Sequence, residues 1–136
     1  MILAEQVYMI VRQELFNNNI TAYSDHVPDE THPIPPFVLY EITNLDLVPD
    51  WAFEKDYEKL RVRFNIYGAR DNPMDAIDIA EEIEGLFNRV KNSFLDPTEG
   101  KYLICSYKVN DSVNIIDDPK YWLTVTDYDF ECQRDI

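Results

Sequence analysis

Glycine, cysteine and histidine are scarce in this chain of 136 residues, which holds three, two and two of them. Phosphate-binding loops depend on clustered glycines, so the composition nearly excludes them, and no G-x-S-x-G or G-x-G-x-x-G pattern occurs. Cys105 and Cys132 do not make a disulfide framework; we expect two small residues in strands, with a bridge as the alternative. His26 and His32 lie in a proline-rich segment at a spacing unlike that of zinc ligands, so we predict no metal and no cofactor.

Basic residues are also few. Twelve Lys and Arg stand against 26 Asp and Glu, so the formal net charge is −14. Duplex DNA and anionic lipid both attract clustered cations, and the composition argues against both as binding partners. No apolar run approaches the roughly 20 residues of a membrane-spanning helix, and we expect no signal peptide at the start of this sequence. The length and the 46% hydrophobic content predict one domain, residues 1–136, with one core.

The clearest structural pattern lies in residues 57–91. Its first half alternates strictly, which is typical of a half-buried antiparallel strand. The apolar residues of this strand are Leu60, Val62, Phe64 and Ile66, and the polar ones are Arg61, Arg63, Asn65 and Tyr67. Asn72 and Pro73 then predict the start of a helix. The apolar residues that predict a helix over 73–91, packed on that strand, are Ile77, Ala80, Ile83, Leu86, Phe87 and Val90.

The remaining segments predict a second helix and further strands. An apolar stripe in residues 2–17, from Ile2 to Phe16, predicts an N-terminal helix that stops at the three asparagines 17–19. Strands are expected at 37–43, at 102–116 with a break near Asn110, and at 121–132. The order α-β-β-α-β-β predicts an α+β domain in which the N-terminal helix and one long central helix pack on a largely antiparallel sheet.

Three acidic residues of the last strand project from one face with a period of two: Asp127, Asp129 and Glu131. Like charges in a row destabilise a sheet unless that face is solvated or paired with cations. Arg61 and Arg63 have the same spacing on another strand, so cross-strand ion pairs are one interpretation. A functional acidic surface is the other.

Residues 44–56 mix apolar side chains with acidic ones and predict a loop or the flared tip of a hairpin. The apolar residues singled out here are Leu47, Val48, Trp51 and Phe53. These side chains either fold back on the core as a lid or form a projecting arm. Aromatic anchors ringed by charge are typical of interfaces, which favours a contact with a partner.

The layout resembles the tail terminator, or tail-completion, proteins of tailed bacteriophages. The N-terminal helix is followed by a proline-rich approach to the strand PFVLYEI at 36–42, and then by the strand LRVRFNIYG at 60–68. A helix begins near 75–77, and the last strand reads WLTVTDYDF at 122–130. The resemblance covers nearly the whole chain and consists of a pattern of strands and lengths, without an invariant catalytic signature.

The resemblance implies a structural virion protein without enzymatic activity. It implies a hexameric ring that caps the finished tail tube and joins it to the head-side connector or neck, in the virion after assembly in the host cytoplasm. The partners would be other copies of the chain, the tail tube protein and the connector, with DNA passing through the lumen without specific binding and with no membrane contact. Trp51 and Phe53 would then anchor the 44–56 arm on a neighbour.

An acidic lumen would repel DNA and leave it free to slide, so Asp127, Asp129 and Glu131 are the candidate lining. Two other classes stay open. One is a different head–tail neck or baseplate subunit. The other is a small α+β ligand-binding domain or an enzyme with an unrecognised carboxylate site.

Overall fold

The computed structural model describes residues 2–25, 33–50, 55–96, 100–110, 113–118 and 121–134. Its elements in chain order are α1 (Ile2–Asn17), β1 (Ala22–Ser24), β2 (Phe37–Asp50), β3 (Lys55–Ala69), α2 (Met74–Phe87), β4 (Val90–Asp96), β5 (Gly100–Lys108), β6 (Val113–Asp118) and β7 (Tyr121–Arg134). The α+β class is confirmed. The predicted element order is matched with additions: β1 and β4 are extra strands, and the segment predicted at 102–116 is divided into β5 and β6.

The strands form one sheet in the order β1-β2-β3-β7-β5-β4. Every pair is antiparallel except β1–β2, which is parallel. The long strand β7 pairs with β3 along one side, and its other side is shared by β6 near its start and β5 near its end. β3 and β7 stand in the middle of the strand order and are the central pair of the sheet.

The N-terminal helix ends where the asparagines predict. Val7, Val11 and Leu15 are buried at intervals of four residues and attach α1 to the sheet. Asn19 takes a left-handed conformation, φ 58°, which asparagine tolerates better than most residues. The Ile20 N–H then donates to the Leu15 carbonyl at 2.9 Å. This backbone bond, together with the burial of Ile20, forms a Schellman-type end for α1.

The central helix buries one face on β3 and β7, as predicted for Ala80, Ile83 and Phe87. Phe87 is its main anchor: the ring stacks on Phe64 with centroids 5.6 Å apart. It also makes edge contacts with Tyr128 and Phe130 from β7. The sheet side of this interface is the predicted one, since Leu60, Val62, Phe64 and Ile66 are all buried.

Two predicted details of this helix are wrong. Ile77 is only half-buried, and Ala76 lies fully buried in the core instead; Leu86 is half-buried but packs against the core as predicted. The helix ends at Phe87 instead of continuing to residue 91, because Arg89 adopts a left-handed conformation, φ 59°, and turns the chain into β4.

Gly68 allows α2 to start close against β3. A Cβ built at this position would lie 3.0 Å from the Cβ of Ala76 and 3.4 Å from its backbone nitrogen. Those distances are at or below the contact limit for carbon atoms. A side chain at position 68 would therefore push the first turn of the helix away from the sheet.

Three strands, β2, β3 and β7, are much longer than the helices that cover the sheet. β3 has 15 residues and α2 has 14, which correspond to about 50 Å of strand and about 21 Å of helix. α1 packs on β1 and β3, and α2 packs on β3, β5 and β7. The buried positions described in β3 alternate from Leu60 to Gly68.

Candidate interaction surface

The sheet has a second face, opposite the helices, on which the predicted acidic residues lie. Thr126, Tyr128 and Phe130 of β7 are buried on the helix side. Side chains alternate along a strand, so Asp127 and Asp129 project from the other side. We call this side of the sheet the outer face.

The strand register places each aspartate of the outer face opposite an arginine: Asp127 faces Arg63, and Asp129 faces Arg61. Arg63 Nε donates to Asp127 Oδ1 at 2.9 Å and Nη2 to Oδ2 at 3.3 Å. Arg61 Nε donates to Asp129 Oδ1 at 2.8 Å and Nη2 to Oδ2 at 3.3 Å. Both contacts are therefore bidentate, the strongest geometry for an arginine–carboxylate pair.

Further donors complete this ionic cluster. Lys59 Nζ lies 3.3 Å from Asp129 Oδ2, and Asn110 Nδ2 donates to Asp127 Oδ2 at 2.8 Å. The two aspartate residues are only 4% and 2% exposed. Buried carboxylates are tolerated when hydrogen bonds and opposite charge offset the loss of water, and that compensation is present here.

The cluster also shifts ionisation equilibria. Burial acts to raise the pKa of Asp127, but the hydrogen bonds from Arg63 and Asn110 and the positive charge of the guanidinium groups outweigh it, and the pKa of Asp127 is lowered. The hydrogen bond to Asp129 raises the pKa of Lys59. The ionised form of each group is thus the form that the fold stabilises.

Glu131 differs from the two aspartates. It is half-buried, and its Oε1 accepts a hydrogen bond from the Tyr107 hydroxyl at 2.9 Å. Burial and this carboxylate together raise the pKa of Tyr107. The described hydrogen bond to Glu131 therefore comes from a neutral phenol and not from a guanidinium group.

The interpretation of Arg61 and Arg63 as cross-strand partners is confirmed for Asp127 and Asp129. The alternative, a row of three free carboxylates, is not supported, because two of the three are buried and neutralised within the chain. The acidic channel lining predicted from these residues loses its electrostatic basis at both positions.

An aromatic cluster lies at the other end of the outer face and was not singled out from the sequence. Phe37 is 4% exposed, and its ring stacks on Tyr67 with centroids 4.9 Å apart. Tyr121 and Tyr23 meet Phe37 edge-on at 5.7 and 6.4 Å. Four strands contribute one ring each. The sequence did contain an indication of this cluster. Each of these strands carries an aromatic residue at a position that the alternation assigns to the polar side, as Tyr67 does in β3.

Residues 44–56 were predicted to form a loop or the flared tip of a hairpin, and the described residues 44–50 and 55–56 belong to a long hairpin. β2 and β3 pair from Phe37↔Tyr67 to Asp50↔Lys55, with a register shift between Ile42 and Asn44. For Leu47 and Val48, the structure describes the backbone, which pairs with positions 58 and 57 of β3. Trp51 and Phe53, the proposed anchors, lie outside the described residues, so the choice between arm and lid stays a prediction.

The hairpin and the ionic cluster belong to one continuous surface of the sheet. Lys59 of β3 stands opposite Asp46 on β2 and opposite Glu131 on β7. The next positions toward the end of the hairpin include Leu47 and Val48. Two groups of residues that are far apart in the sequence are therefore adjacent in the fold.

Phe16 was expected on the buried stripe of α1, but it is 76% exposed. It borders an open groove of about 410 Å³ whose other walls include Arg12, Tyr23 and Tyr40. A second groove of about 400 Å³, on the side of Ile34, shares the turn after α1 with the first. Exposed apolar groups beside concave surfaces are frequent at protein contacts.

No cluster of three or more His, Cys, Asp or Glu residues with metal-binding geometry occurs in the part of the chain that the structure describes. His26 and His32 lie outside that part.

Cys105 is a free, half-buried thiol, so the alternative of a bridge to Cys132 is wrong. No helix among the described residues is both long and apolar enough to cross a membrane.

Neither a protein-family model nor a curated protein matches this chain. Any inference about the function of this chain therefore rests on the sheet surface and on the resemblance in layout.

Proposed function

We propose that this chain is a structural subunit of a bacteriophage tail, acting as the tail terminator. In this proposal six copies form a ring that caps the tail tube and joins it to the head-side connector or neck. The ring acts without catalysis, is assembled in the host cytoplasm and remains in the virion. DNA passes through its lumen without specific binding, in keeping with a net charge of −14.

The observation that carries the proposal is the length of the sheet relative to its helices. A sheet that only closes a core needs strands about as long as the helices packed on it. Here β3 is more than twice the length of α2, and β2 and β7 have 14 residues each. A strand ladder longer than either covering helix suits a subunit with neighbours on several sides.

The ionic cluster supports a structural role for the outer face. Its carboxylates already accept bidentate bonds from arginines, so they are not free to act as general bases or metal ligands. A network of this kind holds the central strands β3 and β7 in register. Replacing Asp127, Asp129 and Glu131 with lysine would set cations beside arginines, so that variant is expected to disrupt folding before it alters any channel.

Electron microscopy of virus particles that lack this protein tests the proposed function. A missing terminator should leave tails of irregular length that do not join heads. Tails of normal length that fail to join heads would indicate the neck-adaptor class instead. Normal, infectious particles would contradict both structural assignments.

Truncating Trp51 and Phe53 to alanine in the purified protein tests whether the 44–56 segment is an arm or a core lid. The arm hypothesis predicts loss of the assembled ring, measured by analytical ultracentrifugation, with the thermal stability of the monomer retained. The control truncates Met9 and Met74, which are 58% and 56% exposed on the helices, and should leave the ring intact. Loss of folding together with loss of assembly would favour the core-lid hypothesis.

A further inference from the structure

The groove that Phe16 borders lies between the second half of α1, the turn after it and the strands β1 and β2. Its volume of about 410 Å³ falls within the roughly 300–1,000 Å³ range of ligand sites. Leu15 and Ile20 line it and are buried, and Phe16 presents an exposed aromatic ring. Tyr23 adds a half-buried ring. The groove therefore offers apolar contact to an occupant.

Two polar groups that line this groove have no partner among the residues that the structure describes. Tyr40 is 4% exposed, and its hydroxyl makes no hydrogen bond with a described group. Arg12 is exposed and forms no ion pair with a described carboxylate. Burial raises the pKa of Tyr40, while the charge of Arg12 acts to lower it. The guanidinium is therefore near a phenol that stays protonated at neutral pH, and both groups are hydrogen-bond donors.

The carboxylate of Asp25, which also influences Tyr40, does not neutralise Arg12. Asp25 does not line the groove, and its Oδ1 accepts a hydrogen bond from the Tyr8 hydroxyl at 3.0 Å. A guanidinium group forms its strongest hydrogen bonds with oxyanions, and the oxyanion that a peptide carries on its side chains is the carboxylate of Asp or Glu. The two donors of the groove therefore favour an acidic side chain.

The second groove, of about 400 Å³, adjoins the first at residues 19–21, which line both. Ile34 lines the second groove and is 84% exposed, so apolar surface continues on this side of the turn. The charged residue that lines the second groove is Glu82, which would repel a carboxylate. An occupant that spans both grooves therefore places its carboxylate beside Arg12 and an apolar group beside Ile34.

We propose that the two grooves bind a peptide segment of a partner protein in which Asp or Glu stands beside large apolar residues. The carboxylate accepts hydrogen bonds from Arg12 and Tyr40, and the apolar side chains contact Phe16 and Ile34. Both grooves are open to solvent, so one side of the occupant stays accessible. That arrangement suits a segment of a larger protein better than an enclosed small molecule. The inference does not depend on the proposed ring.

Titration of the purified protein with the peptide acetyl-Ile-Glu-Trp-amide tests the inference, with the neutral peptide acetyl-Ile-Gln-Trp-amide as the matched control. Binding is followed by NMR through the backbone amides of Asn19, Ile20 and Thr21. We expect the Glu peptide to bind roughly tenfold more tightly than the Gln peptide, because hydrogen bonds to a charged group are stronger than neutral ones. Equal affinities would show that the groove does not select a carboxylate and would overturn the inference.

Three variants locate the carboxylate. Arg12→Gln should abolish the preference for the Glu peptide, and Tyr40→Phe should reduce it, because phenylalanine keeps the buried ring and removes the donor. Arg70→Gln is the control, since Arg70 is exposed and lines neither groove; it should leave both affinities unchanged. A preference that Arg12→Gln retains would place the carboxylate elsewhere and contradict the site. Arg12 is exposed, so this result stays decisive even if Tyr40→Phe alters folding.

N-acetyltryptophan distinguishes a peptide site from a site for small carboxylates, because it carries one carboxylate on one apolar group. We expect it to bind more weakly than the Glu peptide, and equal binding would refute the assignment to a peptide. No shift with any of these probes at millimolar concentration would refute the site. Sedimentation of the same sample separates this inference from the ring: a monomer that binds the Glu peptide contradicts the ring alone, and a ring that does not bind it contradicts the site alone.

Discussion

Asp129→Asn tests how much the ionic cluster contributes to stability. The Asp129 side chain is 3% exposed and contacts two cations, Arg61 and Lys59, whose side chains are 34% and 32% exposed. Asparagine keeps the volume of aspartate and removes its charge. Both cations then lose their counterion but have enough solvent access to regain water.

Two limits bracket the expected effect. Solvent-exposed ion pairs contribute about 0.2–1 kcal/mol, whereas removing one partner of a buried pair costs about 3–5 kcal/mol. A buried carboxylate with partly solvated cations lies between these limits, so we expect Asp129→Asn to lower the free energy of unfolding by about 1.5–3 kcal/mol. At about 3–5 °C per kcal/mol for a chain of this size, Tm should fall by roughly 5–15 °C.

The assay is urea and thermal unfolding followed by circular dichroism at neutral pH. Glu131→Gln is the matched control, because Glu131 is half-buried and its hydrogen-bond partner is the neutral phenol of Tyr107; its effect should stay below about 1 kcal/mol. A double-mutant cycle with Arg61→Met should give a coupling energy of about 1 kcal/mol or more. An Asp129→Asn protein within about 0.5 kcal/mol of the wild type, with no coupling to Arg61, would refute the reasoning.

Three further predictions concern the core, the glycines and acid. Phe87→Ala should cost about 3–5 kcal/mol and clearly more than Leu86→Ala, because only Phe87 is fully buried; equal losses in urea unfolding would contradict this. Gly68→Ala should destabilise by roughly 1–3 kcal/mol through overpacking against α2, while Gly85→Ala, at an open helix position, should stabilise by about 0.5–1 kcal/mol; thermal melts with the opposite order would refute both. The pKa of Asp127 is lowered in the fold, so its contribution is complete above about pH 4 and is lost as pH falls through the folded-state pKa; the wild type should therefore lose more stability than Asp127→Asn as pH falls below about 4, and equal losses in the two proteins would show that the Arg63–Asp127 pair does not stabilise the fold.

Local pattern in the sequence was sufficient for the helices and for the central strand. The alternation from Leu60 to Tyr67 identifies β3 and both of its faces, because a side chain on a strand has only two directions to take. The apolar spacing of α2 identifies the face that carries Ile83 and Phe87. The asparagines after α1 end that helix through a left-handed residue, and this preference is a property of asparagine itself.

The tertiary structure decided the conformation of residues 44–50. The register shift after Ile42 breaks the alternation of β2, and Pro49 argues against a strand on local grounds. Pairing with β3 outweighs both local signals. No described strand pairs with β2 at Pro49 along its other edge, so the missing N–H of proline breaks no hydrogen bond between strands there. For β4, the helical spacing of Val90 suggested that α2 continues. Arginine has no particular preference for the left-handed conformation, so the sequence did not indicate the turn at Arg89 that ends the helix.

The charges of the outer face were likewise determined partly by the sequence and partly by the tertiary structure. The sequence alone determined that Arg61, Arg63, Asp127 and Asp129 alternate on two strands, and it left both a free acidic surface and internal ion pairs open. Which carboxylate meets which guanidinium depends on the register of β3 on β7, between residues 64 or more positions apart. That register is set by burial of both strands against α2 and the core, because a shift of one residue would turn every buried side chain outward.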